Sequence, residues 1–163
     1  MRRLLAIVLL LCLLACAGCT ATSGDWFAPF QGGFSAELDG TLGGVAFAAQ
    51  MVADAPDANG ARAVTLTFYA PEGLKGATLT RGKEGRVTFA RAGLELQDPP
   101  VAAIGALFEL FPTGGEVQSV RVTENGNTRV TGEGFALEFR ADGTPAAIET
   151  PAARATVVSW RAQ

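Results

Sequence analysis

The sequence predicts a mainly β domain, one antiparallel sheet of about ten strands with a single helix, and three observations carry that reading. From Phe34 onward apolar and polar residues alternate with period two, which on a pleated strand sends successive side chains to opposite faces. Glycine follows Asp, Asn or Glu between the alternating runs, where tight turns need positive φ. One stretch alone, near 100–111, switches to helical spacing.

The N-terminal residues stand apart from this pattern. Arg2 and Arg3 precede an apolar run from Leu4 to Ala15, and the three cysteines are Cys12, Cys16 and Cys19. Roughly a dozen apolar residues fall short of the about 20 that a membrane-crossing helix needs, so residues 1–18 are expected to be an export signal. Ala17-Gly18-Cys19 resembles a bacterial lipobox, with Cys16 standing where Leu is usual. Leu13-Leu14-Ala15-Cys16 is the competing frame, Cys12 a third, and an ordinary signal cut after Ala15-Cys16-Ala17 a fourth. Lipidation is expected at Cys19, with Cys16 as the alternative. The lipobox resemblance implies an extracytoplasmic protein held at the bacterial cell membrane by two or three acyl chains, as diacylglycerol and palmitate. Two chains anchor stably where one is marginal.

Residues 19–33 form the lipidated N-terminus and a short tether. Trp26, Phe27 and Phe30 make it more apolar than a plain spacer. Their rings suit either the lipid headgroup region or a lid packed on the domain. Residues 34–163 are then one β domain, with no cysteine left in it for a disulfide.

Along that domain the strands follow in order. Phe34, Ala36 and Leu38 face one way while Ser35, Glu37 and Asp39 face the other. The alternation recurs in Val45, Phe47, Ala49 and Met51, in Val64, Leu66 and Phe68, in Ala77 and Leu79, and in Val87 and Phe89. It continues through Leu94 and Leu96, Val120 and Val122, Phe135, Leu137 and Phe139, and ends at Val158 and Trp160. Hairpin turns are expected at Asp39-Gly40, Asn59-Gly60, Glu84-Gly85, Asn125-Gly126 and Asp142-Gly143. Pro71 to Gly76 reads as a longer connection and Pro99-Pro100 as the strongest break. Val101, Ile104, Leu107, Phe108 and Phe111 then recur at helical spacing until Pro112 and Gly114-Gly115 end the segment.

An area comparison gives this architecture functional meaning. About ten strands of roughly six residues present a face on the order of 950 Å², and a 12-residue helix shades only about 180 Å² of it. Either the sheet closes on itself, for which the many inner Ala and Gly are suited, or it stays partly open and holds something apolar. Phe47, Met51, Phe68 and Phe89 on the strands, with Leu107 and Phe111 after them, are the candidate lining of such a groove.

Several function classes drop out on inventory. The chain has no His, and its cysteines all precede residue 20, which removes Ser-His and Cys-His nucleophile pairs and most zinc sites. No Gly-x-Ser-x-Gly or phosphate-loop motif is present. Glu37 with Asp39 and Glu133 with Glu138 read as a wet strand face, and Asp54, Asp57 and Asn59 as a polar turn rather than a calcium loop. No enzyme activity and no cofactor or metal are therefore expected. The chain carries 13 basic and 16 acidic residues; without Arg2 and Arg3 the balance is 11 against 16, about −5, so no nucleic-acid partner is expected. Arg81, Lys83, Arg86 and Arg91 read as a solvated strand face.

The Phe34-Ser-Ala-Glu-Leu opening strand, the ordered hairpins, Phe68-Tyr69-Ala70-Pro71-Glu72-Gly73-Leu74-Lys75-Gly76, the mid-chain helix and the closing Gly143-Thr-Pro-Ala-Ala-Ile148 strand resemble small extracytoplasmic lipoproteins with a LolA-like half-barrel fold. The resemblance covers about residues 34–160. It implies a single curved antiparallel sheet with one helix packed across its concave face, a shape that relatives use to shelter acyl chains or to sense envelope stress. The expected partners are the membrane through the N-terminal lipid, and a lipid acyl chain or apolar peptide as ligand. The alternative is a closed, ligand-free domain that contacts an envelope protein. An amphipathic helix usually precedes the first strand in carrier-type members, and only residues 20–33 stand in that place here.

Overall fold

The structure is a computed structural model that describes residues 24–99 and 102–163. The signal expected over 1–18, the lipidation candidates Cys19 and Cys16, the residues before Gly24, and Pro100 and Val101 lie outside the described residues.

A short helix α1 (Ala28–Gln31) precedes six strands: β1 (Phe34–Leu42), β2 (Val45–Ala53), β3 (Val64–Ala70), β4 (Thr78–Arg81), β5 (Val87–Arg91) and β6 (Leu94–Gln97). Helix α2 (Ala102–Phe108) follows, then β7 (Val117–Val122), β8 (Thr128–Gly132), β9 (Phe135–Phe139), β10 (Pro145–Glu149) and β11 (Ala153–Ala162). All eleven strands form one antiparallel sheet in the order β6-β5-β4-β3-β2-β1-β11-β10-β9-β8-β7. Two meanders are thus joined at the centre by β1 and β11, and β6 and β7 are free edges.

The sheet does not close, in agreement with the expected open sheet and against the closed alternative. It nevertheless curls. Flat, eleven strands would set β6 about 48 Å from β7, and residues 98–116 with their helical part could span about 55 Å only if drawn straight. That segment instead buries Leu107, Phe108, Leu110 and Phe111 against the sheet, and accumulated strand twist curls a sheet of this many strands. The result is an open half barrel with the helices on its inner face. Ten expected strands become eleven, and the helix expected near 100–111 is confined to Ala102–Phe108.

The inner face holds one continuous core. Leu38, Met51, Leu66, Leu79, Val130, Leu137, Ile148 and Val157 come from the strands, and Phe30, Leu107 and Leu110 from the layer above. No polar or charged side chain is buried among the described residues. On the outer face, hydroxyl and amide groups pair across strands, Thr65 with Thr80 at 3.3 Å and Gln50 donating to Ser35 at 3.5 Å.

Residues read as a tether form a lid. Trp26 lies 5.6 Å from Phe139 and Phe27 5.7 Å from Phe135, ring centre to ring centre. Phe30, fully buried, touches Phe34, Phe111, Phe139 and Trp160. The described part of the tether therefore belongs to the fold, and α1 is a second helix that apolar spacing alone did not announce: with four residues it has no period to read.

Three further expectations change. Asp39-Gly40 is not a turn but lies within β1, which turns at Gly43-Gly44, both with positive φ (+56° and +84°) as a two-residue hairpin requires. Gly40 is needed for another reason, since a Cβ there would lie 2.1 Å from the Arg154 carbonyl oxygen on β11. Val158 does not share a face with Trp160. Glu37 pairs with Ser159 and Leu38 with Val157, so Val158 bulges out unpaired; Val157 is buried and Val158 is 61 % exposed. Leu94, Leu96 and Val122, expected on the inner face, stay exposed because their strands are at or next to the uncovered edges. The turns at Asn59-Gly60, Glu84-Gly85, Asn125-Gly126 and Asp142-Gly143 are present, each with Gly at φ near +80°. Asp57 there accepts hydrogen bonds from the Asn59 and Ala61 amides at 2.8 and 3.0 Å, which makes it a turn-forming carboxylate.

Candidate functional site: an apolar cavity on the inner face

The longest strands meet their hairpin ends where β1–β2 and β3–β4 turn over, and the inner face there is left uncovered by α1. Phe47 and Phe68 point inward from neighbouring strands β2 and β3. Leu79 on β4 and Phe89 on β5 are directly opposite each other. Leu107 of α2 comes down from above. Together with Leu42, Val45, Ala46, Pro71 and Leu74 these residues line a cavity of about 250 Å³. Every side chain in that lining is apolar, and none can titrate.

Period two explains this placement. Phe47, Phe68, Leu79 and Phe89 occupy the same parity on consecutive strands, so pleating delivers them to one face. Phe47 and Phe68 are each only 4 % exposed and form the walls, whereas Phe89 is half-buried and Val45 is 63 % exposed at the mouth. Phe89 is also a wall of a shallower hollow of about 700 Å³ with Leu94, Leu96, Lys75 and Arg91, toward the free edge at β6. The apolar surface therefore continues outward from the cavity along the inner face.

Of the six residues proposed from sequence, the structure brings Phe47, Phe68, Phe89 and Leu107 together in this cavity. Met51 and Phe111 are elsewhere. Met51 is further along β2, 2 % exposed within the core, and Phe111 joins the ring cluster under the lid, 5.1 Å from Phe30 and 5.2 Å from Phe34. Met51 has the right parity but sits toward the other end of its strand, a distinction that alternation does not encode, and Phe111 follows α2 outside any strand. Sequence reasoning missed Leu42, the last residue of β1, and Pro71 and Leu74, which lie in the β3–β4 connection where no period applies. Val45 and Leu79 carried the alternation signal and were not chosen as lining.

Such a site can bind but has no group to do chemistry. No cluster of three metal-ligating side chains occurs among the described residues. No described helix is long and apolar enough to cross a membrane.

No protein-family model matches the chain, and no curated protein matches it. Solved structures do. An uncharacterized conserved protein from Thermus thermophilus is similar at 16 % identity with a TM-score of 0.54, over 83 % of this chain and 82 % of that one. MucB is similar at 15 % identity with a TM-score of 0.52, over 88 % of this chain and 60 % of MucB. A LolA superfamily protein from Nitrosomonas europaea matches at 8 % identity and a TM-score of 0.44, over 82 % of this chain and 87 % of that chain. The fold is what the Thermus thermophilus protein and MucB share with this chain.

Proposed function

We propose that this chain is a non-enzymatic extracytoplasmic binding module, anchored to the membrane by a lipidated N-terminus, whose inner-face cavity shelters an acyl chain or an apolar peptide side chain. The all-apolar lining of an open cavity carries the proposal. An engineered cavity of about 150 Å³ takes benzene, so 250 Å³ takes a segment on the order of ten carbons. Burying about eight methylenes at about 0.8 kcal/mol each is worth roughly 6 kcal/mol, or a Kd of tens of micromolar before association costs. That strength suits a reversible holder.

Native mass spectrometry with lipid extraction on residues 20–163, which keep every described strand and helix, tests this reading. A co-purified or added fatty acid bound at one per chain supports it. An apo mass that decanoate and envelope lipids leave unchanged overturns it.

A second reading has its own observation. All four residues of β6 are exposed, and Leu94 and Leu96 are 75 % and 59 % exposed on a free edge. Such an edge suits addition of a strand from an envelope protein partner. Crosslinking at Glu95 in intact cells would capture that partner, and no crosslinked species would exclude the edge as its docking site.

A further inference from the structure

At the opposite end of the same strands lies a polar hollow of about 300 Å³, between the β2–β3 and β4–β5 turns and the residues after α2. Arg62, Arg81 and Lys83 line it together with Glu109 and Thr113. Three cations and one carboxylate leave a net charge of two in a chain that is acidic overall.

The two arginines are held in place by the core. The Arg62 guanidinium sits over the Phe34 ring at 5.4 Å, and Arg81 sits over Phe108 at 5.0 Å. Nη1 of Arg62 donates to the Phe30 carbonyl at 2.6 Å, and Nη2 donates to that of Phe111 at 3.5 Å. A guanidinium has five N–H donors, so donors remain for another acceptor. Among the described residues, neither Arg62 nor Lys83 has a carboxylate within ion-pair distance. Arg81 pairs with Glu109, whose side chain is 72 % exposed and free to swing away. Burial, and then repulsion from Arg81, push the Arg62 pKa below its ordinary value, with Glu109 opposing. An incoming anion would relieve that strain, and planar guanidinium forks match phosphate oxygens.

We propose that this hollow is a phosphate-binding site, in which Arg62, Arg81 and Lys83 hold the oxyanion and Glu109 occupies Arg81 until it arrives. A net lining charge of two matches a phosphate dianion better than a carboxylate. Two sources share that chemistry. Arg81 is two residues from Leu79 of the apolar cavity on the same face of β4, about 7 Å away along the strand, so the phosphate can be a lipid headgroup as well as a free ion. The site itself does not depend on the acyl-chain reading.

Titration calorimetry on the full chain with inorganic phosphate and with soluble dihexanoyl phosphatidic acid tests the proposal. Arg62→Gln or Arg81→Gln should weaken binding about tenfold or more, and Lys83→Gln about threefold. Glu109→Gln should tighten it severalfold, because the resident competitor is removed. Lys83 and Glu109 are exposed, so those two variants decide the matter even if an arginine variant fails to fold. Tighter binding of the phosphatidic acid than of phosphate, with the gain lost in Phe68→Ala, identifies a headgroup. Equal binding identifies free phosphate. Binding of neither ligand up to about 10 mM, or binding that Lys83→Gln and Glu109→Gln leave unchanged, overturns the proposal.

Discussion

Trp160 stacks on Phe34 with ring centres 4.5 Å apart and planes 23° from parallel. The two rings meet because Val158 is squeezed out of the β1–β11 ladder. Were Val158 paired in the ladder instead, Trp160 would fall on the outer face and Ser159 on the inner one, since a one-residue slip reverses every side chain beyond it. The pair anchors Phe30 of the lid, whose ring sits 5.6 Å from Trp160 and 6.3 Å from Phe34.

Deleting Val158 should leave Trp160 on the inner face, because Val157 and Ser159 already pair with the consecutive Leu38 and Glu37. Val158→Thr changes an exposed side chain and is expected to shift stability by less than about 0.5 kcal/mol. The deletion removes only the bulge, whereas Trp160→Ala should lower stability by about 3 kcal/mol or more, as truncating a packed Trp does. Urea denaturation followed by tryptophan fluorescence distinguishes the two.

The lid is expected to behave as core. Phe30→Ala removes a fully buried ring from contact with four aromatic neighbours, at a cost of about 3–5 kcal/mol. A chain shortened to begin at Phe34 should bind ANS strongly, because Phe111, Phe135, Phe139 and Trp160 lose their cover. A shortened chain with the parent's melting temperature and no ANS signal would show that residues 24–33 are only a tether.

Gly40 is the close-approach position of the central ladder. Besides the Arg154 carbonyl oxygen, a Cβ there would meet the Ala155 Cα at 2.8 Å, so Gly40→Ala must push β1 and β11 apart. A loss of about 2–4 kcal/mol is expected, in the range of overpacking and of severed ladder hydrogen bonds. Gly32→Ala, with nothing within 4 Å of the added atom, should leave the thermal melt nearly unchanged and serves as the control.

The cavity walls and its rim should respond differently to a charge. Phe68→Glu places an unpaired carboxylate at a position only 4 % exposed and should unfold or severely destabilise the domain. Phe89→Glu, at a half-buried position shared by both apolar hollows, should melt cooperatively and fail to take up decanoate. Identical behaviour of the two variants by calorimetry and ligand uptake would contradict this division of the lining.

Acid should loosen the β8–β10 region. The Glu149 carboxylate accepts a hydrogen bond from Arg129 Nη2 at 2.9 Å, which holds its pKa below the ordinary value, with Arg154 adding attraction. A carboxyl whose folded pKa is depressed contributes stability above its unfolded pKa, and that contribution is lost as pH falls through the folded value. The urea midpoint should drop between about pH 5 and pH 3. Glu149→Gln should show a smaller drop over the same interval.

Much of this fold was legible because alternation records which side of a pleat each residue takes. Phe34, Ala36 and Leu38, or Val64, Leu66 and Phe68, face the core as their parity demands. The Asn-Gly and Asp-Gly turns were readable for the same local reason. By contrast, parity fails across Val158, and Asp39-Gly40 has turn composition inside a strand. What places Gly40 is the backbone of β11, more than a hundred residues away in the chain.

By itself the sequence determined the class of the domain, the inward set of most strands, the turn glycines and four of the cavity's lining residues. These depend on neighbours two to four positions apart. Only the tertiary structure decided that the sheet stays open, that residues 26–30 pack as a lid, and that Phe47, Phe68, Phe89 and Leu107 enclose one space while Met51 and Phe111 lie in the core beyond it. Those outcomes depend on where β1 meets β11 and how far the segment from β6 to β7 must reach, which are long-range distances that no local period contains.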